Sequence, residues 1–266
     1  MSADVSRDGV VLVGCGRLGS AMLEGWLATG AVAGQDLIIF SPSEKPAAEA
    51  ARAKGARINP PLDSLREAKT VVLAVKPALW RAALEPLVPY LNPEAVLVSV
   101  MAGMRSADLS ATAGRPVARV MPTTAVAQAQ GVAAVWSADA RALAAAQALF
   151  APVADLAPLD DEALMDAATA VAGSAPAFIY AFVQGLADAG VRQGLSAGSA
   201  ARLARGALRS AGAGLETGEG LDALIARIAS PGGTTRAGLD AMAEGGDLNR
   251  AAEAAVRAAV DRAKSL

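Results

Sequence analysis

The chain has 266 residues, more than one average domain, with 53% hydrophobic and 19% charged residues; that excludes a disordered chain and favours two domains, or one with a large appendage. Aromatic residues make up only 3% and the formal net charge is −2, which argues against a base-stacking surface and leaves no global attraction for nucleic acid or an anionic membrane. The one cysteine and the polar run from Met1 to Asp8, too polar for a secretory signal, fit a cytoplasmic protein without an intrachain disulfide, and no metal site is expected.

In chain order, Val10 to Val13 reads as a buried parallel strand, and Ser20 to Leu27 has the apolar spacing of a helix. Between them stands Gly14-Cys15-Gly16-Arg17-Leu18-Gly19. In that setting Gly14 permits the tight turn, Gly16 lets the backbone approach a pyrophosphate, and Gly19 lets helix and strand pack closely, with the helix N-terminus facing the phosphates. The bland alternative is an ordinary glycine turn. Cys15 sits where a helix N-terminus could lower its pKa, but it reads better as a small residue filling the variable slot of the turn.

Asp36 to Phe40 is the second strand, followed by Ser41-Pro42-Ser43-Glu44-Lys45. An NAD-binding chain is expected to carry an acid there, about 20 residues past the glycine motif, for the ribose hydroxyls. Ser41 and Ser43 as donors, with Lys45 and Arg17 as cations, instead favour a 2′-phosphate and hence NADPH, with NADH as the alternative. Thr70 to Val75 ends in Ala74-Val75-Lys76-Pro77, whose backbone would run along the cofactor; Lys76 either contacts ligand or pairs with a carboxylate. Ala95 to Val100 and Pro116 to Met121 follow as strands. Their exits, Met101-Ala102-Gly103 and Met121-Pro122-Thr123-Thr124, open on the same edge and could frame the nicotinamide, while Arg119 reads as a structural ion-pair partner. A short run from Gly131 to Trp136 and a helix from Ala138 to Phe150 complete the domain. The alternation indicates βαβ units, so residues 1–157 are expected to form a Rossmann-type, doubly wound parallel sheet.

From residue 158 to 266 the pattern is helix after helix, an all-α domain. The uncharged stretch Ala167 to Ala187 is long enough to cross a bilayer, but Thr169, Gly173, Ser174, Pro176 and Gln184 dilute it, and a buried helix is expected instead. Phe178, Phe182 and Leu186 form an apolar stripe at helical spacing. So apolar a domain of about a hundred residues needs a second copy to cover it, which implies a dimer. Between helices Leu221 to Ala229 and Arg236 to Ala243 lies Ser230-Pro231-Gly232-Gly233-Thr234-Thr235, whose glycines and threonine cap expose N–H groups suited to a substrate carboxylate. A helix-capping loop without ligand is the alternative.

These segments, with Arg119-Val120-Met121-Pro122 and Gly173-Ser174-Ala175-Pro176-Ala177, resemble the pyrroline-5-carboxylate reductase family nearly end to end, most specifically in Ser230 to Thr235. The resemblance implies a Rossmann domain for NADPH or NADH and an interwoven helical domain forming a homodimer, in some members a decamer of dimers, with active sites near the subunit interface. It implies reduction of Δ1-pyrroline-5-carboxylate to L-proline, the last step of proline biosynthesis. The candidate cofactor residues are Val13, Gly14, Cys15, Gly16, Arg17, Leu18, Gly19, Ser41, Ser43, Lys45, Ala74, Val75, Lys76, Pro77, Ala102 and Gly103. Candidate substrate residues are Ser174, Ser230, Gly232, Gly233, Thr234 and Thr235, with the Thr235 hydroxyl as the catalytic orienting group. The chain departs from the family at Thr123, where Asn is usual, at Arg17, and in Ile225 to Ala229, which lacks an acid.

The chain contains no histidine, so the commonest protein proton donor is absent. A pre-protonated cyclic imine needs none, whereas a keto group does, and no lysine occurs between Lys76 and Lys264 to serve a hydroxyacid dehydrogenase. A related cyclic imine or keto acid as substrate, or a non-catalytic NADPH-binding regulatory protein, remain the alternatives.

Overall fold

The computed structural model describes residues 8–265. Eight strands form one sheet in the order β3-β2-β1-β4-β5-β6-β7-β8. They are β1 (Val10–Val13), β2 (Leu37–Phe40), β3 (Arg57–Ile58), β4 (Thr70–Leu73), β5 (Val96–Ser99), β6 (Val117–Pro122), β7 (Gly131–Trp136) and β8 (Ala154–Pro158). β1 to β6 run parallel, in keeping with the doubly wound reading; β7 turns antiparallel to β6, and β8 is parallel to β7. β7 and β8 thus add an antiparallel end to the expected parallel sheet. Neither β3 nor β8 is evident in the sequence, since β3 is two residues long and β8 is largely solvent-facing.

β1, β4 and β5 are buried at every position, as strands covered on both faces must be. Alternate residues point to opposite faces and so build two separate cores. Val10, Leu12, Leu37 and Ile39 pack with Met22 and Trp26 of α1 (Arg17–Thr29), the alanines of α2 (Pro46–Arg52) and Phe150 of α5 (Ala140–Phe150). Val11, Val13, Ile38 and Leu73 pack with Leu84 of α3 (Trp80–Leu84) and Leu109 of α4 (Ser106–Ala113) on the other face. α1 is fixed to its neighbours by specific contacts. The Trp26 indole N–H donates to the Leu149 carbonyl at 2.9 Å, and its ring meets Phe150 edge-on at 6.0 Å.

The remaining helices are α6 (Met165–Ala168), α7 (Ala175–Arg192), α8 (Ala197–Leu215), α9 (Leu221–Ile228), α10 (Thr234–Ala243) and α11 (Asp247–Lys264), with a π-helical turn over Thr169–Ser174 joining α6 to α7. The chain forms two compact units, one running through Gly173 and taking in the stretch from Ala259, the other Ser174–Ala258. Residues 158–173 therefore group with the sheet unit, where Met165 joins Met121 and Ala134 in a small cluster. In the helical unit α7 and α8 touch through Ala187, Ala200 and Ala204. Those three and Ala229 are its only buried residues among the described ones. The segment expected as a buried helix, residues 167–187, is helical but mostly exposed in one copy, because a single copy of this unit supplies no second layer above α7.

Candidate functional site

The carboxyl ends of β1, β2, β4 and β5 lie side by side, Val13 opposite Phe40 and Leu73, and Leu73 opposite Ser99. Their exit loops therefore gather along one edge, where open α/β sheets bind ligands. The Gly14 N–H donates to the Phe40 carbonyl and the Ala74 N–H to the Val13 carbonyl, each at 2.8 Å, so Val13, Gly14, Ala74 and the end of β2 form one continuous floor. Gly14 has φ +98°, and a Cβ there would lie 2.8 Å from the Ala74 carbonyl oxygen. A Cβ on Gly19 would lie 2.3 Å from the Gly14 carbonyl oxygen. Packing alone demands these two glycines. Gly16 is different: its φ is an ordinary −75°, and a Cβ there would meet nothing within 4 Å. It opens α1, whose leading N–H groups have no side-chain cap and no acid in the first turn. Open space over uncapped N–H groups at the positive end of a helix fits a dinucleotide pyrophosphate.

Cys15 is buried with its sulfur 3.5 Å from the Ser20 hydroxyl, a packing position in the turn. Leu18 packs against the core beneath it. Arg17, Lys45 and Lys76 follow the ends of β1, β2 and β4, and none makes an ion pair among the described residues. Of the two roles open to Lys76 in the sequence, pairing with a carboxylate is not the one observed. Val75 and Pro77 flank it, and Pro77 starts a short 3-10 turn. Ser41 is buried, and its hydroxyl donates to the Ser43 carbonyl at 2.8 Å, which leaves the exposed Ser43 hydroxyl and Lys45 as the outward donors of this loop. Asn59, which sequence reasoning missed, holds Ser41 from both sides: it accepts the Ser41 N–H at 3.0 Å and donates to the Ser41 carbonyl at 2.9 Å. Asn59 adopts a left-handed φ of +47°, which Asn tolerates better than most residues.

After β5, Met101 is buried and Ala102 and Gly103 are half-buried. Arg119 on β6 is the ion-pair partner expected: its guanidinium lies 3.4 Å from Glu162 and donates to the Met101 carbonyl at 3.5 Å. Burial pushes its pKa below the ordinary value, while Glu162 and Asp166 oppose that shift. Thr123, where the family usually has Asn, accepts the Val132 N–H on its hydroxyl at 3.3 Å and so helps close the β6–β7 connection.

In the helical unit, Ser174 is the N-cap residue of α7 and ends the π-helical turn. The segment Ser230 to Thr235 joins α9 to α10. Gly232 has φ +70°, and the Gly233 N–H donates to the Ser230 carbonyl at 3.0 Å. The N-cap of α10 is Gly233 and Thr234 is its first residue, so the threonine cap expected from the sequence is corrected; α10 begins two residues earlier than read. No side chain caps these N–H groups. The exposed hydroxyls of Ser230, Thr234 and Thr235 therefore stand beside a set of unpaired donors, which can bind a carboxylate.

A family model described as pyrroline-5-carboxylate reductase dimerisation matches residues 162–266, and one described as NADP oxidoreductase coenzyme F420-dependent matches residues 9–103. The pyrroline-5-carboxylate reductase of Pseudomonas aeruginosa is 34% identical over 98% of both chains. The chain belongs to the pyrroline-5-carboxylate reductase family. The enzyme of that name from Mycobacterium tuberculosis is 33% identical over 97% of this chain and 96% of its own. Among solved structures, Plasmodium falciparum pyrroline carboxylate reductase with NADP bound aligns over 98% of both chains at TM-score 0.81 and 25% identity. A Coxiella burnetii pyrroline-5-carboxylate reductase shares the fold at TM-score 0.86 over 97% of this chain and 98% of its own, at 24% identity. For a pyrroline-5-carboxylate reductase family member, the sheet edge and the α9–α10 segment are the two places where the local chemistry suits the ligands.

Proposed function

We propose that this protein reduces Δ1-pyrroline-5-carboxylate to L-proline with NADPH as reductant. The observation that carries the reading is identity of a third with reductases of this name along nearly the whole chain, so that both the sheet edge and the α9–α10 segment are matched. NADPH, when bound, supplies a hydride from the nicotinamide C4 to the C=N carbon of the substrate. The N–H groups opening α1 hold the pyrophosphate over Gly16, and Ser43, Lys45 and Arg17 receive the 2′-phosphate. The N-terminus of α10 holds the substrate carboxylate through backbone donors, and the Thr235 hydroxyl orients the ring nitrogen. No protein acid is needed because a protonated imine is already electrophilic, in keeping with a chain that lacks histidine. The working form is a homodimer in the cytoplasm, supported by the exposed apolar face of α7 and by the single cysteine.

The test is spectrophotometric oxidation of NADPH and NADH with Δ1-pyrroline-5-carboxylate, a keto-acid control, and chromatographic detection of proline. Proline formed with the imine and no turnover of the keto acid is the expected result; coenzyme binding without turnover would overturn it. Thr235→Ala is expected to cut imine turnover more than tenfold, a loss of roughly 1.4 kcal/mol or more, with NADPH affinity unchanged.

A further inference from the structure

The Arg119 side chain is only 4% exposed, yet its hydrogen bonding is poor. One terminal nitrogen lies 3.4 Å from Glu162, the other 3.5 Å from the Met101 carbonyl, and Nε has no partner. Replacing a buried ion pair by apolar groups is often neutral or stabilising, so stability alone does not account for this guanidinium. Its contacts point elsewhere. Met101 begins the loop from β5 to α4, which bends at Gly103 with φ +71°. Glu162 in turn accepts the Ser106 N–H at 2.7 Å and the Ser106 hydroxyl at 2.8 Å, where that loop ends and α4 begins. One Arg–Glu pair therefore grips the loop at both ends. Met101 is anchored in the apolar core and Ala102 packs on Met121 and Met165, but the Gly103–Arg105 end of the loop borders a polar cavity of about 500 Å³ lined also by Arg119, Glu162, Asp166 and Lys264, so there the ion pair is the main support.

The loop leaves the carboxyl edge at β5, in the second mononucleotide half of the sheet, the half that takes the nicotinamide end of a dinucleotide while β1 and β2 take the adenosine end. Resting on the function proposed above, we propose that Arg119, locked to Glu162, is a positioning residue that holds the Met101–Gly103 loop as the nicotinamide-side wall of the cleft. It acts through the backbone and touches no substrate.

Three variants of the full chain test this: Arg119→Met, Glu162→Gln, and Ser106→Ala as the mildest. For each, affinity is measured for NADPH and for 2′,5′-ADP, which carries the adenosine half alone, together with kcat, KM and the isotope effect with 4-deuterated NADPH. The expected result is at least fivefold weaker NADPH binding with 2′,5′-ADP affinity within twofold of wild type, and kcat down about tenfold with imine KM within threefold. The isotope effect rises as hydride transfer becomes slower than the other steps. A lowered Tm with an unchanged ratio of NADPH to 2′,5′-ADP affinity would overturn the proposal and leave Arg119 a structural residue. Should Arg119→Met fail to fold, the same ratio in Glu162→Gln and Ser106→Ala decides. If wild type fails to turn over the imine, the activity proposed above falls, while the affinity ratio still scores the role of the loop.

Discussion

Three glycines in one turn have different physical reasons, and that difference separates packing from ligand binding. Gly14 and Gly19 cannot carry a Cβ because neighbouring carbonyl oxygens stand 2.8 and 2.3 Å away from where it would be. Gly16 could carry one without a clash inside the protein. Gly16→Ala is therefore expected to leave Tm unchanged or slightly raised, since removing a glycine where φ is already compatible lowers the entropy of the unfolded chain by about 0.4–1 kcal/mol equivalent. Its methyl group would project into the pyrophosphate position and weaken NADPH at least tenfold by titration. Gly19→Ala is expected to do the reverse and lower Tm before anything else. Unchanged NADPH affinity in Gly16→Ala would show that the phosphates approach elsewhere. This turn was legible because its residues are adjacent in sequence. The Ser41–Asn59 clamp spans 18 residues and the Arg119–Glu162 pair spans 43, so the residues appear in the sequence but their pairing does not.

At the scale of elements, buried strands were legible where both faces are covered, because runs such as Val10-Val11-Leu12-Val13 and Thr70-Val71-Val72-Leu73 are continuously buried. Direction was not legible: the apolar run of β7 is the same whichever way it pairs, and only the short connection through Thr123 turns it antiparallel. Helix α1 was readable from its spacing over Ser20 to Leu27, and it runs on to Thr29, where Gly30 ends it at φ +74°. Its docking was not. Gly25 lies mid-helix, and a Cβ there would sit 2.1 Å from the Val126 carbonyl oxygen. A helix interior ordinarily favours Ala over Gly by about 1 kcal/mol, but here the close approach of the β6–β7 connection reverses the preference. Gly25→Ala is expected to destabilise the sheet unit by about 1–3 kcal/mol, the usual cost of overpacking, which lowers Tm by several degrees in a thermal melt. A raised Tm would mean that the loop yields and that helix propensity dominates.

For the molecule as a whole, the apolar face of α7 is the unresolved term in the energetics of one copy. Phe178, Ile179, Tyr180, Phe182 and Leu186 are between 37% and 65% exposed, and the helical unit buries only four alanines among its described residues. At about 25 cal/mol per Å² of apolar surface, such a face loses more by staying in water than the few buried alanines can offset. The run Glu162–Arg192 is also long and apolar enough to cross a membrane. A lipid-facing helix and a protein-facing helix make opposite demands. Lipid would leave Ser174, Gln184 and Asp188 costly wherever they faced it, whereas a second copy can pair polar groups at the rim and bury the aromatic stripe. The wild-type protein is therefore expected to sediment without detergent at twice 26.5 kDa. Phe182→Asp places an unpaired carboxylate in the centre of the stripe, where burial without a partner costs several kcal/mol, and is expected to shift sedimentation towards monomer and abolish turnover. The residues proposed for the adenosine half of NADPH all belong to the sheet unit, so 2′,5′-ADP binding should survive in that variant. Sedimentation of Phe182→Asp as an unaltered dimer would move the interface off this face, and recovery of wild type only in detergent would restore the membrane reading of α7.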